Sequence, residues 1–160
     1  MRLRDGQTEP FGGVASVNPT TAAFSPDGKW VAYASNAGRE HFVYVQPFPA
    51  TGEVHQISKE GENGHHPMWS WTPRRKELLY IPQVGRFGAV GISTAPGLTF
   101  TDLSPVPRRF PISNPATQRP WDIAPDGRIL SVSDGGQALT PEIRVVLNWF
   151  DELRARVPVR

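Results

Sequence analysis

Phe24-Ser25-Pro26-Asp27-Gly28-Lys29-Trp30-Val31-Ala32-Tyr33 reads as one tight turn between two strands, and the chain uses it more than once. Ser at the first position, Pro at the second and Gly at the fourth match a type I turn, in which Pro presets φ and the Asp carboxylate reaches backbone amides. The apolar run after it carries the aromatic and β-branched residues of a strand. The turn returns as Ala124-Pro125-Asp126-Gly127-Arg128, leading into Ile129-Leu130. A degraded copy, Ser70-Trp71-Thr72-Pro73-Arg74-Arg75-Lys76, stands between them and leads into Leu78-Leu79-Tyr80-Ile81. Pro26 and Pro73 are 47 residues apart, and Pro73 and Pro125 are 52 apart. Recurrence at such an interval marks an array of like units. Ser25, Pro26, Asp27, Gly28, Pro125, Asp126 and Gly127 are thereby assigned as structural turn residues.

The units read as three or four short strands each. The first, residues 20–60, has strands over 21–24, 30–34, 41–48 and 54–58. The second, 61–113, has strands over 66–70, 77–81 and 87–93, with an outer strand drawn from Phe100 or from 109–112. Its turn has lost the Asp-Gly pair, so a longer and looser hairpin is expected through Pro73. The third, 119–147, has strands over 120–124, 129–133 and 143–147. Four antiparallel strands per roughly 40 to 50 residues is the blade pattern of a β-propeller. The fold expected is all-β: a partial propeller of about three four-stranded blades, where a closed ring typically needs about four to eight.

Apolar residues on consecutive positions, as in Trp30-Val31-Ala32-Tyr33 and Val145-Val146-Leu147, require cover on both faces of a sheet, which a blade between two neighbours has. A two-layer β-sandwich also carries many short strands, but it does not demand one turn sequence at a blade-sized interval. Residues 1–19, polar and Gly-rich with Pro10 and Pro19, read as a linker or the remnant of a preceding blade. At the other end the period changes: Trp149, Leu153 and Val157 lie four apart, Asn148 can cap, and Pro158 stops, which predicts a short helix within 148–160.

With 15 Gly and 17 Pro in 160 residues, the chain has turn-formers enough for many short strands without the period of collagen. A formal net charge of +2 and only isolated Arg pairs, Arg74-Arg75 and Arg108-Arg109, give no nucleic-acid footprint. Absence of cysteine removes disulfides, thiolate chemistry and Cys-based zinc sites. No stretch approaches the ~20 apolar residues of a membrane helix, so no membrane insertion by this segment is expected. Met1 to Gly6 lacks a signal-peptide core, so the chain as written is expected in the cytoplasm. A parent with its own export signal or anchor would place it outside.

Phe24 to Tyr33, together with Pro67-Met68-Trp69-Ser70 leading to Glu77-Leu78-Leu79-Tyr80, resembles the WD-like repeats of TolB-type propellers, which also occur in prolyl oligopeptidase and dipeptidyl peptidase IV relatives. Val145-Val146-Leu147-Asn148-Trp149-Phe150-Asp151-Glu152-Leu153 resembles the ending of bacterial propellers fused behind serine/threonine kinase domains. The likeness runs over about residues 20–157. It implies a binding or scaffold module belonging to a larger bacterial protein. Asp122-Ile123-Ala124 departs from the usual aromatic and Ser before the third turn.

Catalytic constellations are missing from the sequence. It has neither the Gly-rich loop nor the catalytic loop of a kinase, and Gly91-Ile92-Ser93-Thr94-Ala95 ends in Ala where a hydrolase elbow needs Gly. His65-His66 adjoins an inner strand, yet neighbours on a strand point to opposite faces, so only one of the pair is expected at any site, and no motif links His41 or His55 to it. Asp27 and Asp126 have turn roles, and Asp122 alone makes no carboxylate pair. The expectation is a non-catalytic module with no cofactor and no metal. It would bind a protein partner or a small ligand through its loops or channel, the remaining blades of its own ring, or a second copy of itself. The loops at Gly61–Gly64 and Thr94–Gly97 are the candidate surfaces. The alternative is a piece of a propeller enzyme, either a metal-holding channel lyase or the gating domain of a peptidase.

Overall fold

The computed structural model describes residues 6, 8–14, 21–38, 40–93, 97–106, 119 and 121–131. They form eleven strands: β1 (Ala22–Phe24), β2 (Trp30–Ser35), β3 (Phe42–Pro47), β4 (His55–Gln56), β5 (His65–Thr72), β6 (Arg75–Gln83), β7 (Arg86–Ser93), β8 (Thr99–Phe100), β9 (Ser104–Val106), β10 (Trp121–Ile123) and β11 (Ile129–Ser131). The described residues contain no helix, and none that could cross a membrane. The helix expected within 148–160 and the strands expected over 109–112 and 143–147 lie outside the described residues.

All pairings are antiparallel, in three sheets. Sheet I is the meander β1-β2-β3-β4, sheet II is β5-β6-β7 with β8 and β9 both on the outer edge of β7, and sheet III is the hairpin β10-β11. The outer strand of sheet II is thus 99–106 in two pieces. Thr101 N–H donates to the Gly91 carbonyl at 3.0 Å across the break. Pro105 stands on the outermost described strand of this sheet, and a missing ladder donor is tolerated at an edge.

Sheet II is covered on both sides. Alternation along its strands sends Trp69, Leu78, Tyr80, Val90 and Ile92 towards sheet I, where they meet Ala32, Val43 and Val45. Met68, Ile81 and Phe87 point the other way, onto Trp121, Ile123 and Ile129 of sheet III. Phe87 and Trp121 meet edge to face with ring centroids 4.6 Å apart. Leu78, Tyr80 and Ile81 are wholly buried although neighbouring residues face opposite ways, which is the consequence read from the unbroken apolar runs. One polar bond ties the first two sheets together: Trp69 Nε1–H donates to the Ala23 carbonyl at 3.0 Å.

The two good turns are built on the Asp side chain. Asp27 Oδ1 accepts from Lys29 N at 3.1 Å, and Asp126 Oδ1 from Arg128 N at 3.0 Å. Gly28 and Gly127 sit at φ 70° and 84°, where a side chain would be strained. The hairpins differ by one residue all the same. Phe24 pairs with Val31, whereas Ile123 pairs with Ile129, the counterpart of Trp30. In the first turn Ser25 Oγ accepts from Trp30 N at 3.0 Å and donates to Asp27 at 2.6 Å, which adds a rung that Ala124 cannot make.

The middle turn corrects the sequence reading. Thr72 pairs directly with Arg75, so Pro73-Arg74 is a two-residue turn, tighter than the other two. The ladder runs to its edge because Thr72 Oγ1 bonds the Arg75 carbonyl at 3.3 Å, and the Lys76 ammonium lies 4.4 Å over the Trp71 ring.

Candidate functional site

Meander topology puts the three Pro turns at one end of the sheets. The β2–β3 loop, the 57–64 connection and the β6–β7 turn lie at the other end. The chemistry-bearing side chains gather at this second end. Two Pro-centred bulges shape it. His66 and Pro67 together stand opposite Tyr80, since His65 pairs with Ile81 and Met68 with Leu79. Ile81 and Pro82 stand opposite Phe87, since Tyr80 pairs with Gly88 and Gln83 with Arg86. Each Pro withholds a ladder donor, and the strand bends there.

The first bulge overturns the expectation for the His pair. His66 takes φ 51°, an uncommon value for a residue with a side chain, and the simple alternation of faces is lost. Both imidazoles are buried, His65 at 2% and His66 at 1% exposure. Their ring centroids are 6.2 Å apart, and His41 comes from sheet I to lie 4.3 Å from His65. His41 Nε2 and His65 Nδ1 are buried without a hydrogen bond among the described residues. Burial, and after it the neighbouring His41 and His66, lowers the His65 pKa to about 4. Three imidazoles, of which His65 is held neutral by its burial, thus lie together at the joint between sheets I and II. Pro67, next to the pair, was the sequence signal for it. His55 lies elsewhere, between Trp30 and Phe100, with Nε2 2.7 Å from Glu53. Among the described residues no three His, Asp or Glu side chains are grouped to hold a metal ion.

Beside the cluster, loop 59–64 stitches the sheets together. Gly64 N–H donates to the His41 carbonyl at 2.8 Å and Asn63 N–H to the Pro82 carbonyl at 2.9 Å. Gly64 is required here, since a Cβ would stand 2.8 Å from Ser58 Oγ and 3.0 Å from Val43 Cγ2. Glu62 Oε2 accepts from the Tyr80 hydroxyl at 2.7 Å and from Lys59 N at 3.1 Å. Tyr80 is fully buried, and burial first, then the Glu62 carboxylate, pushes its phenol far above the ordinary range. Glu62 in turn lines a cavity of about 420 Å³, together with Pro82, Arg86, Phe87, Leu103 and Val106.

Of the sequence-assigned loops, Gly61–Gly64 is part of this cavity end, and Thr94–Pro96 lie outside the described residues. Ser93 is an exposed strand-edge residue opposite Thr99. Neither the role of Glu62 nor that of Tyr80 was legible, because their meeting depends on the bulge and on a loop of no regular structure. Comparison of the chain with family models, with curated proteins and with solved structures returned no match in any of the three.

Proposed function

We propose that the chain is a stretch of β-propeller that acts as a non-catalytic interaction module, forming part of a larger bacterial sensor or kinase-fused protein. The observation that carries this reading is the middle sheet, which is covered by the four-stranded sheet I on one face and by the β10-β11 hairpin on the other. The same logic extends to sheet I. Its outward face carries Phe24 and Phe48, 58% and 46% exposed, in edge-to-face contact at 5.0 Å. Beside them is a cavity of about 640 Å³ lined by Pro10, Phe11, Val31 and Pro49. Such a face suits another blade, from the same parent or from a second copy. The resemblance of 145–153 to kinase-fused propeller endings supports the larger parent.

Sedimentation of the folded chain tests the reading. Association that is lost in Phe24→Lys supports it, and a monodisperse 17.7 kDa monomer overturns the self-association arm. Turnover in hydrolase or lyase assays, with stoichiometric metal, would end the non-catalytic reading.

A further inference from the structure

We infer that the cavity at Glu62 is a binding site for a primary ammonium carried on an apolar body. The inference rests on the reading of the chain as a binding module, but not on its being a propeller.

Glu62 is a carboxylate held in one position. A wholly buried phenol and a backbone N–H both donate to Oε2, while Oε1 has no hydrogen bond or ion pair among the described residues. Lys59, three residues away, makes its ion pair elsewhere, with its ammonium 2.8 Å from Asp102 Oδ1. Arg86 lines the same cavity but is exposed and makes no ion pair among the described residues. Beyond Glu62, Gln83 and Arg86 the lining side chains are apolar. Phe87 is 2% exposed at its floor, and Leu103 lies across Gly88, where any Cβ would collide with the Leu103 side chain. Gly88 thereby lets Leu103 and Val106 form one side of the cavity. A cleft of this size, with apolar side chains beside a carboxylate that two donors hold in place, has the build of a small-ligand site.

The geometry also selects between cations. A guanidinium binds a carboxylate best through two parallel bonds, one to each oxygen. Here Oε2 is already engaged twice, so one oxygen is left, which suits the compact point charge of an ammonium. That chemistry has two sources, a free arylalkylamine or a lysine side chain of a partner protein.

Calorimetric titration of the whole chain with phenethylamine, phenethyl alcohol and phenethylguanidine tests the site, with methyl NMR shifts of Leu103 and Val106 reporting location. The amine should bind roughly tenfold or more tighter than the alcohol, the worth of one charge-assisted hydrogen bond, and severalfold tighter than the guanidine. Glu62→Gln should abolish the amine preference while leaving alcohol binding and the methyl shifts in place. Arg86→Ala should leave the preference intact or strengthen it. A capped Gly-Lys-Gly peptide that competes more strongly than the free amine assigns the lysine source, and weaker competition assigns the free amine. Equal affinity for amine and alcohol, a preference that survives Glu62→Gln, no shift at either methyl, or no binding of any probe overturns the inference. Loss of this site while the chain still associates through the Phe24 face would leave the module reading standing.

Discussion

Acidification should open the joint between sheets I and II through His65, ahead of any carboxylate effect. The His65 imidazole falls from its usual 6.5 to about 4 in the folded chain, because burial and the two neighbouring imidazoles oppose its charge. A base with a depressed folded pKa binds its proton first in the unfolded chain, so its contribution is complete above 6.5 and is lost as pH falls towards 4. The difference of 2.5 between 6.5 and about 4 corresponds to about 3 kcal/mol, a large share of the ~5–15 kcal/mol that holds a small domain together. Urea unfolding at intervals through that window should show stability rising with pH by at most about 1.4 kcal/mol per unit from this group. His65→Phe keeps a ring against His41 but cannot titrate, so its stability should be nearly flat over the same window. If the variant keeps the wild-type slope, or wild-type stability increases on acidification, the burial argument fails.

Three further outcomes follow from single contacts. Trp69→Phe, which removes the bond to the Ala23 carbonyl and leaves a part-buried acceptor, should cost about 1 kcal/mol in urea unfolding, with sheets I and II losing protection together in hydrogen exchange. Ser25→Ala should cost about 1 kcal/mol by the same measurement, since the hydroxyl both accepts from Trp30 and fixes Asp27. Gly88→Ala drives a methyl into Leu103 and should cost about 1–3 kcal/mol, and Leu103→Ala in the same chain should recover part of it as a non-additive term in a double-mutant cycle.

The strands were readable because Pro, Asp and Gly at fixed offsets leave the backbone few choices, and because consecutive apolar residues such as Leu78-Leu79-Tyr80-Ile81 have no stable place except between two covered faces. The Pro73 turn was misread by weighing the missing Asp-Gly more than the strand pairing on either side, which runs on to Thr72 and Arg75. The cavity end was harder. Alternation is the rule that sequence offers for His65 and His66, and a bulge is the means by which a strand escapes it. Pro67 and Pro82 mark those bulges in the sequence, a signal the reading of it passed over, and which side chains they gather is settled by contacts between strands far apart in the chain.

The one-rung offset between the Ser25 and Ala124 hairpins reaches past the turns themselves. Pleating gives each strand a phase, and shifting pairing by one residue inverts it. Trp30 therefore packs with Ala23 towards the sheet that follows, whereas Ile129, at the matching place in the repeat, shares a side with Ile123 and leans on the sheet before it. Two hairpins with the same turn signature can therefore present opposite halves of a strand to the sheet beside them.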